Sequence, residues 1–176
     1  MSKEPPIKVG QIYESKHGTV EVIEYLHSSK IKIRFLTSGY ETYVQGSKLL
    51  NGLNIKDKLS PTVCGVGIVG ELRKRDVKRY YVCWRSMLAR CYDPNIHKRQ
   101  PTYIGCTVSE RWKTLSNFIE DVKLLPNYDK WIAGEDYDLD KDSIVSGNKH
   151  YSLETCMFIP AEDNGREARA RKLGRK

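Results

Sequence analysis

The sequence lacks any apolar run approaching the roughly 20 residues that cross a bilayer as a helix. Its first ten residues, MSKEPPIKVG, also lack the apolar stretch of a secretory signal. The chain has 176 residues, 39% of them hydrophobic, which is enough to build one ordinary core or two small ones. We therefore expect a folded protein with no membrane partner that stays in the cytoplasm of the cell that makes it. The pattern leaves its oligomeric state open.

Cysteine pairs with metal-ligand spacing are also missing. The chain has five cysteines, an odd number, and none forms the CxxC pair that begins a zinc ribbon. They are Cys64, Cys83, Cys91, Cys106 and Cys156. This spacing predicts reduced, mostly buried thiols and no structural zinc.

Positive charge is abundant, with 30 Lys and Arg against 22 Asp and Glu, a formal net charge of +8. Basic chains of this size commonly bind polyanions. Residues 73–99 hold nine bases and two acids, and residues 165–176 hold six bases and one acid. The sign reverses in residues 135–142, where five carboxylates surround one lysine. A cluster of carboxylates in a basic protein suggests a bound cation.

The first third of the chain has the pattern of short strands separated by turns, around residues 11–15, 19–26, 30–36 and 40–45. Ile31, Ile33 and Phe35 alternate with Lys32 and Arg34, which is the period of a half-buried strand. We predict a β-rich domain over residues 1–70, either a small SH3-like β-barrel or a β-meander. Its glycine-rich end, residues 64–70, is expected to be a linker or a last strand.

The strongest helical pattern covers residues 76–92, with Asp76 as N-cap. Its apolar residues recur at i, i+3/i+4 and i+7, and four bases fall largely off that stripe: Lys78, Arg79, Arg85 and Arg90. The simpler interpretation is a helix that packs against the core and exposes its basic face to solvent. The alternative is that these basic side chains contact phosphate. We predict extended chain over residues 101–112 and a second helix over residues 116–125, which Pro126 stops.

From Tyr137 the pattern is strand, long turn, strand and helix. The strands are predicted over residues 137–140 and 151–159, and Pro160 stands at the first turn of a helix that carries Asn164. The predicted fold class is α+β: the N-terminal barrel or meander, then a helical segment and a C-terminal ββα unit. Residues 71–176 would form this second domain.

Five blocks in the last 90 or so residues resemble, in order, those of phage and prophage HNH (ββα-metal) endonucleases. They are WRSMLARCYDP, PTYIGCTVSERW, NFIEDV, LDKD and YSLETCMFIP. The resemblance implies a DNA endonuclease inside a phage-infected or prophage-carrying bacterium. The N-terminal region is more loosely similar to β-rich leaders found ahead of such domains.

Phosphodiester cleavage needs a cation to neutralise developing charge and a base to activate water. By resemblance, Asp140 and Asn164 would be the two protein ligands of one Mg²⁺ or Mn²⁺ ion. Oxygen ligands with several retained waters suit Mg²⁺. The spacing of Asp140 and Asn164 together is stronger evidence for a metal site than either residue alone, since acidic runs in loops are usually solvated turns.

Two positions depart from the family pattern. Lys141 stands where the family has its general-base histidine, and Thr155 stands where it has the asparagine that orients that histidine. Nearby carboxylates should favour the charged form of Lys141, which opposes a role as base. Three explanations stay open: Lys141 holds the scissile phosphate while the cation activates water, His150 supplies the base, or the fold has lost cleavage and kept DNA binding.

The tail after Asn164 is basic and would contact phosphates without reading sequence. Its candidate DNA-binding residues are Arg166, Arg169, Arg171 and Lys172. The sequence therefore supports three hypotheses: a nicking or homing-like endonuclease, a catalytically degenerate HNH-fold protein that binds DNA, and a phage factor that acts on a host protein.

Overall fold

The computed structural model of the chain describes residues 7–51 and 55–163. It divides into two compact units, Met1–Ser60 and Pro61–Lys176. Together the units are mixed α/β, which agrees with the α+β class expected from the sequence. No helix among the described residues is long and apolar enough to cross a membrane.

The first unit is a four-stranded antiparallel sheet followed by a short helix. Its elements are β1 (Ile12–Ser15), β2 (Gly18–His27), β3 (Lys30–Phe35), β4 (Glu41–Val44) and α1 (Gly46–Leu50). The strands pair in sequence order, so the sheet is a meander. The alternation predicted for β3 is confirmed, because Ile31, Ile33 and Phe35 are buried and pair across the sheet with Val44, Thr42 and Val20.

The SH3-like closure is not observed. Among the described residues neither this sheet nor the two small ones of the second unit closes into a barrel. The register of β2 against β3 shifts twice, between Val22 and Glu24 and between Tyr25 and His27. Such irregularities bend and twist a strand, and here they shape an open sheet over a core that also includes Ile7, Leu49 and Ile55.

The second unit is built around α2 (Lys78–Tyr92). The predicted apolar stripe is confirmed, since Trp84, Met87, Leu88 and Cys91 are buried in the larger core. The helix begins one residue later than expected, because Val77 and not Asp76 is its N-cap residue. All five cysteines are free, as expected, and Cys91, Cys106 and Cys156 are buried.

The glycine-rich segment before α2 packs into this second core. Val63 pairs with Gly67 in an isolated bridge, and the turn between them places Cys64 and Gly65 at positive φ. A Cβ on Gly67 would lie 2.5 Å from Leu88 Cδ1. Glycine is therefore required at this position by a close approach to α2 and not by chain flexibility.

The remaining elements of the second unit are short. They are α3 (Pro94–Arg99), β5 (Thr107–Val108), α4 (Leu115–Val122), α5 (Tyr128–Ala133), β6 (Tyr137–Asp140), β7 (His150–Tyr151) and β8 (Met157–Pro160), with 3-10 helices at Pro101–Tyr103 and Glu110–Lys113. The extended chain predicted over residues 101–112 is mostly wrong. Tight turns close there, as in the bonds Ile104 N–H to Pro101 O and Trp112 N–H to Ser109 O.

The single strand predicted over residues 151–159 is also wrong. The chain forms β7, turns through residues 152–156 and then forms β8. β7 runs parallel to β5, whereas β8 runs antiparallel to β6 and places Met157 opposite Asp140. Helical residues follow from Ala161 to Asp163, where the described chain ends. Asn164 and the tail residues Arg166, Arg169, Arg171 and Lys172 lie outside the described residues.

A charged network attaches the 3-10 helix at Glu110–Lys113 to α4. The Arg111 guanidinium donates to both carboxylate oxygens of Asp121, at 2.8 and 3.0 Å, and the Trp112 indole N–H donates to Asp121 Oδ2 at 2.9 Å. Asp121 is buried. The Arg111 guanidinium holds the pKa of Asp121 below its ordinary value, and the Trp112 bond adds to this effect.

We predict that Asp121→Asn lowers the free energy of unfolding of the second unit by about 1–3 kcal/mol at pH 7, because charge-assisted hydrogen bonds are lost. The folded pKa lies below the unfolded value of about 3.9, so the contribution is complete above that pH and is lost as pH falls through the folded pKa. Urea unfolding followed by tryptophan fluorescence tests this, since Trp84, Trp112 and Trp131 all lie in the second unit. The stability gap between the two proteins should narrow below about pH 4. A gap that stays constant between pH 7 and pH 3 would contradict the assignment.

Candidate functional site

Asp140 ends β6 and turns the chain with its own side chain. Its carboxylate is buried, and Oδ2 accepts the backbone N–H groups of Asp142 at 2.7 Å and Ser143 at 2.6 Å. Aspartate commonly caps a turn in this way. Both bonds end on the same oxygen, so Oδ1 is left to accept a ligand. The carboxylate is thereby fixed in position before anything binds.

Of the two ligands expected for the cation, the described residues include one, Asp140. No group of three or more His, Cys, Asp or Glu side chains gathers for a metal within residues 7–51 and 55–163. A single carboxylate is nevertheless within the chemistry of Mg²⁺, which keeps several waters and is held by one or two carboxylates. Asp140 therefore fits the role of one ligand, and the second expected ligand, Asn164, lies outside the described residues.

Lys141 is buried beside Asp140 with its ammonium paired. Its Nζ donates to Asp142 Oδ2 at 2.8 Å and lies 5.8 Å from the centre of the Tyr151 ring. The side chains of Lys141 and Asp142 are only 8% and 10% exposed. A general base must accept a proton, whereas this nitrogen is the donor of a buried ion pair. The position therefore suits a fixed positive charge better than a base.

Asn148 joins the two ends of the long turn. Its Nδ2 donates to the carbonyl oxygen of Lys141 at 2.9 Å and to that of His150 at 2.6 Å, and its Oδ1 accepts the His150 N–H at 3.1 Å. The sequence identified Asn148 only as a turn residue. One side chain thus brings the segment that follows β6 to the strand β7 and closes the loop over residues 141–149.

His150 is exposed, and its ring is fixed by a residue that the sequence did not reveal. Its Nδ1 lies 2.8 Å from Thr107 Oγ1, across the parallel pairing of β5 with β7. Thr107 is 43 positions away in the chain, so no local pattern could point to it. With Nδ1 engaged, Nε2 is the ring nitrogen left for another partner.

Thr155 bonds to the backbone of His150. Its hydroxyl donates to the backbone carbonyl of His150 at 2.7 Å and accepts the Ser152 N–H at 3.1 Å. These bonds close the turn between β7 and β8. Thr155 therefore positions the His150 backbone, while Thr107 contacts the ring.

Three of the four basic residues predicted on α2 line a groove of about 540 Å³ between this helix, α5 and β6. They are Lys78, Arg79 and Arg90. Arg85 is exposed but does not belong to the groove lining. Of the four predicted basic residues of α2, Lys78, Arg79 and Arg90 therefore lie in the groove and Arg85 lies outside it.

Tyr151 connects this groove with the Asp140 turn. Its hydroxyl accepts from Arg90 Nη1 at 3.4 Å, and its ring lies beneath the Lys141 ammonium. Burial raises the pKa of the Tyr151 phenol, so the hydroxyl stays neutral. Burial likewise raises the pKa values of the Cys83 and Cys156 thiols to about 12. A neutral thiol is a poor nucleophile, which leaves the oxygen and imidazole groups to carry chemistry.

No family model matches this chain, and no curated protein and no solved structure matches it either.

We predict that Asn148→Ala opens the loop over residues 141–149, since three hydrogen bonds from one side chain are lost. Amide hydrogen exchange at His150, whose N–H binds Asn148 Oδ1, should become much faster, while exchange in α4 stays as in the wild type. Asn148→Asp is the matched variant, because it keeps the acceptor for the His150 N–H and loses both donor bonds. Exchange at His150 in that variant should be intermediate. Equal exchange at His150 in all three proteins would show that the side chain does not hold the loop.

Proposed function

We propose that the second unit is an HNH-like nuclease that hydrolyses DNA phosphodiester bonds with one Mg²⁺ or Mn²⁺ ion. The observation that carries this proposal is the geometry at the end of β6. There a buried carboxylate is fixed through one oxygen, with the other open, directly beside a buried cation. Metal-assisted hydrolysis of a phosphate ester needs an oxygen ligand and positive charge held close together.

The proposed architecture is a ββα-metal unit formed by β6, β8 and a helix that starts after Pro160. Support comes from the antiparallel pairing of the two strands and from the helical residues at 161–163. In this arrangement the helix would bring Asn164 to the cation beside Asp140. This part of the proposal follows the resemblance of the LDKD and YSLETCMFIP blocks to phage HNH proteins.

A bound divalent ion would neutralise charge on the scissile phosphate and its leaving oxygen. Asp140 would hold that ion through Oδ1. Lys141 would add a fixed positive charge near the phosphate, with its ammonium held by Asp142. His150 would accept the proton of the attacking water at Nε2, with Nδ1–H donating to Thr107 Oγ1, since a general base needs its second ring nitrogen engaged to fix its tautomer.

Binding of DNA without cleavage is the second candidate function, and the ion pair of Lys141 with Asp142 favours it. That pair occupies the position where the family has its base. The basic groove on α2 would serve this function equally well. The two candidates differ in whether product appears, and binding alone does not separate them.

Conversion of supercoiled plasmid to open-circle DNA in Mg²⁺ or Mn²⁺ tests the nuclease. We predict that Asp140→Ala abolishes conversion and that His150→Ala slows it by about 100-fold or more, the usual contribution of general base catalysis. Lys141→Ala should also slow it, since it removes the positive charge that is proposed to lie near the phosphate. Asp136→Ala is the matched control, because it removes an exposed carboxylate from the same acidic run and should nick at the wild-type rate.

Each outcome has a separate meaning. Absence of open-circle product with every metal would refute the nuclease, and DNA binding that survives Asp140→Ala would then support the binding protein. Unchanged nicking in His150→Ala would remove the histidine from the mechanism while leaving the metal site in place. Loss of nicking in Asp136→Ala to the same degree as in Asp140→Ala would refute the assignment of Asp140.

A further inference from the structure

One face of α2 forms a continuous wall of the groove. Lys78, Val82, Ser86 and Arg90 follow one another at i+4 spacing, and Arg79 and Cys83 form the adjacent row. Residues at this spacing lie one above the other on a helix. The opposite wall comes from α5 and β6, through Trp131, Tyr137, Asp138 and Leu139.

Arg90 is a half-buried cation in this groove without an acidic partner. Its guanidinium donates to Tyr151 Oη at 3.4 Å and Ser86 Oγ at 3.3 Å, and it lies 5.8 Å from the centre of the Tyr103 ring. Among the described residues no carboxylate forms an ion pair with it. A partly buried charge is normally paired. The Arg90 guanidinium is therefore available to bind an anionic ligand.

Arg79 supplies a second fixed cation at the mouth of the same groove. Its guanidinium lies 4.8 Å from the centre of the Trp131 ring and donates to the Glu135 carbonyl at 3.4 Å. The other side of Trp131 is covered by Phe158, with ring centres 4.6 Å apart and planes 13° from parallel. Phe158, Trp131 and Arg79 form a stack whose outermost member is an exposed guanidinium. Nucleic-acid bases stack on such planar cations in single strands.

Part of the groove lining is apolar. Val82 is 58% exposed although it lies on a helix whose opposite face is buried, and Leu139 of β6 belongs to the same lining. Cationic groups beside apolar groups match the two parts of a nucleotide, its phosphate and its base. The volume of about 540 Å³ lies in the range of small-molecule sites, about 300–1,000 Å³.

The volume of the groove also restricts which form of nucleic acid, single strand or duplex, can enter it. The major groove of B-DNA alone is about 12 Å wide and admits a whole helix, so a double helix is far too large to enter this cleft. A duplex can touch Lys78 and Arg79, which are exposed, whereas Arg90 is half-buried and less accessible to it.

We propose that this groove binds one unpaired strand of nucleic acid, with Arg90 and Ser86 on a backbone phosphate and Arg79 as a platform for a base. The inference rests on the proposed function for the choice of nucleic acid as ligand, and it specifies the substrate as DNA with an unpaired segment beside the cleavage site. Tyr151 joins the groove to the Asp140 turn, because its hydroxyl accepts from Arg90 and its ring lies beside the Lys141 ammonium.

Fluorescence anisotropy of a labelled single-stranded oligonucleotide, compared with the same sequence as a blunt duplex, tests the proposal. The full chain is used in EDTA, so that binding is measured without cleavage. We predict that the wild type prefers the single strand and that Arg90→Gln weakens single-strand binding about tenfold or more, the value of one charge-assisted hydrogen bond. The slope of log K against log salt should decrease by about 0.7, as one phosphate contact is lost. Duplex binding should change little.

Lys123→Gln is the matched control, because Lys123 is an exposed cation of the same unit at the end of α4, away from the groove. It should lower both affinities slightly and equally. Arg79→Gln and Lys78→Gln remove exposed groove cations, so they keep the test decisive even if Arg90→Gln fails to fold. Each should reduce single-strand binding more than Lys123→Gln does. Arg90→Lys should restore the salt slope but only part of the affinity, since its ammonium lacks the planar fork.

Three results would overturn the proposal: duplex binding as tight as single-strand binding, an effect of all groove variants no larger than that of Lys123→Gln, or displacement of the oligonucleotide by polyglutamate at equal charge concentration. The proposed nuclease is judged separately by plasmid nicking. If Asp140→Ala abolishes nicking but the groove variants bind single strands normally, the nuclease survives and the groove proposal fails. If no metal supports nicking but the groove variants lose single-strand binding, the reverse holds.

Discussion

The second unit depends above all on how α2 is anchored. Trp84 is fully buried at the centre of the helix, and its indole N–H donates to the Trp112 carbonyl oxygen at 2.6 Å. A buried indole needs such a partner, so the bond fixes both the depth and the rotation of α2. Once that rotation is set, the ridge from Lys78 to Arg90 has to face away from the core. The basic groove is thus a consequence of the packing on the other side of the same helix.

Tyr151 extends this constraint to the turn at Asp140. Its ring is buried under the Lys141 ammonium, and its hydroxyl meets the Arg90 guanidinium. Each cation is partly desolvated by the tyrosine, and contact with an aromatic face or a phenol oxygen offsets part of that cost. A change at Tyr151 would therefore alter the groove and the turn together, although the two lie on different elements.

The sequence predicted what depends on local periodicity. The alternation of Ile31, Ile33 and Phe35, the buried stripe of α2 and the strand that ends at Asp140 are all observed. The prediction from sequence failed where contacts between residues distant in the chain determine the structure. The segment after Tyr151 breaks because β7 joins β5 and β8 joins β6. Thr107 beside His150, and the groove itself, arise from residues distant in the chain, so no window of sequence contains them. The role of Asn164 depends on chain beyond the described residues and stays a prediction.

The turn after β6 also sets the charge of the candidate site. The Asp142 N–H binds Asp140 Oδ2, while the Asp142 carboxylate binds Lys141 Nζ, so three consecutive residues fix one another. Together they carry one net negative charge in a largely buried place, which favours a cation. A divalent ion would reverse the sign to one net positive charge and make the same place attractive to a phosphate. A neutral residue in place of Lys141 would remove the ammonium that the Asp142 carboxylate binds. Lys141 is thus the residue that offsets one of the two negative charges of this turn.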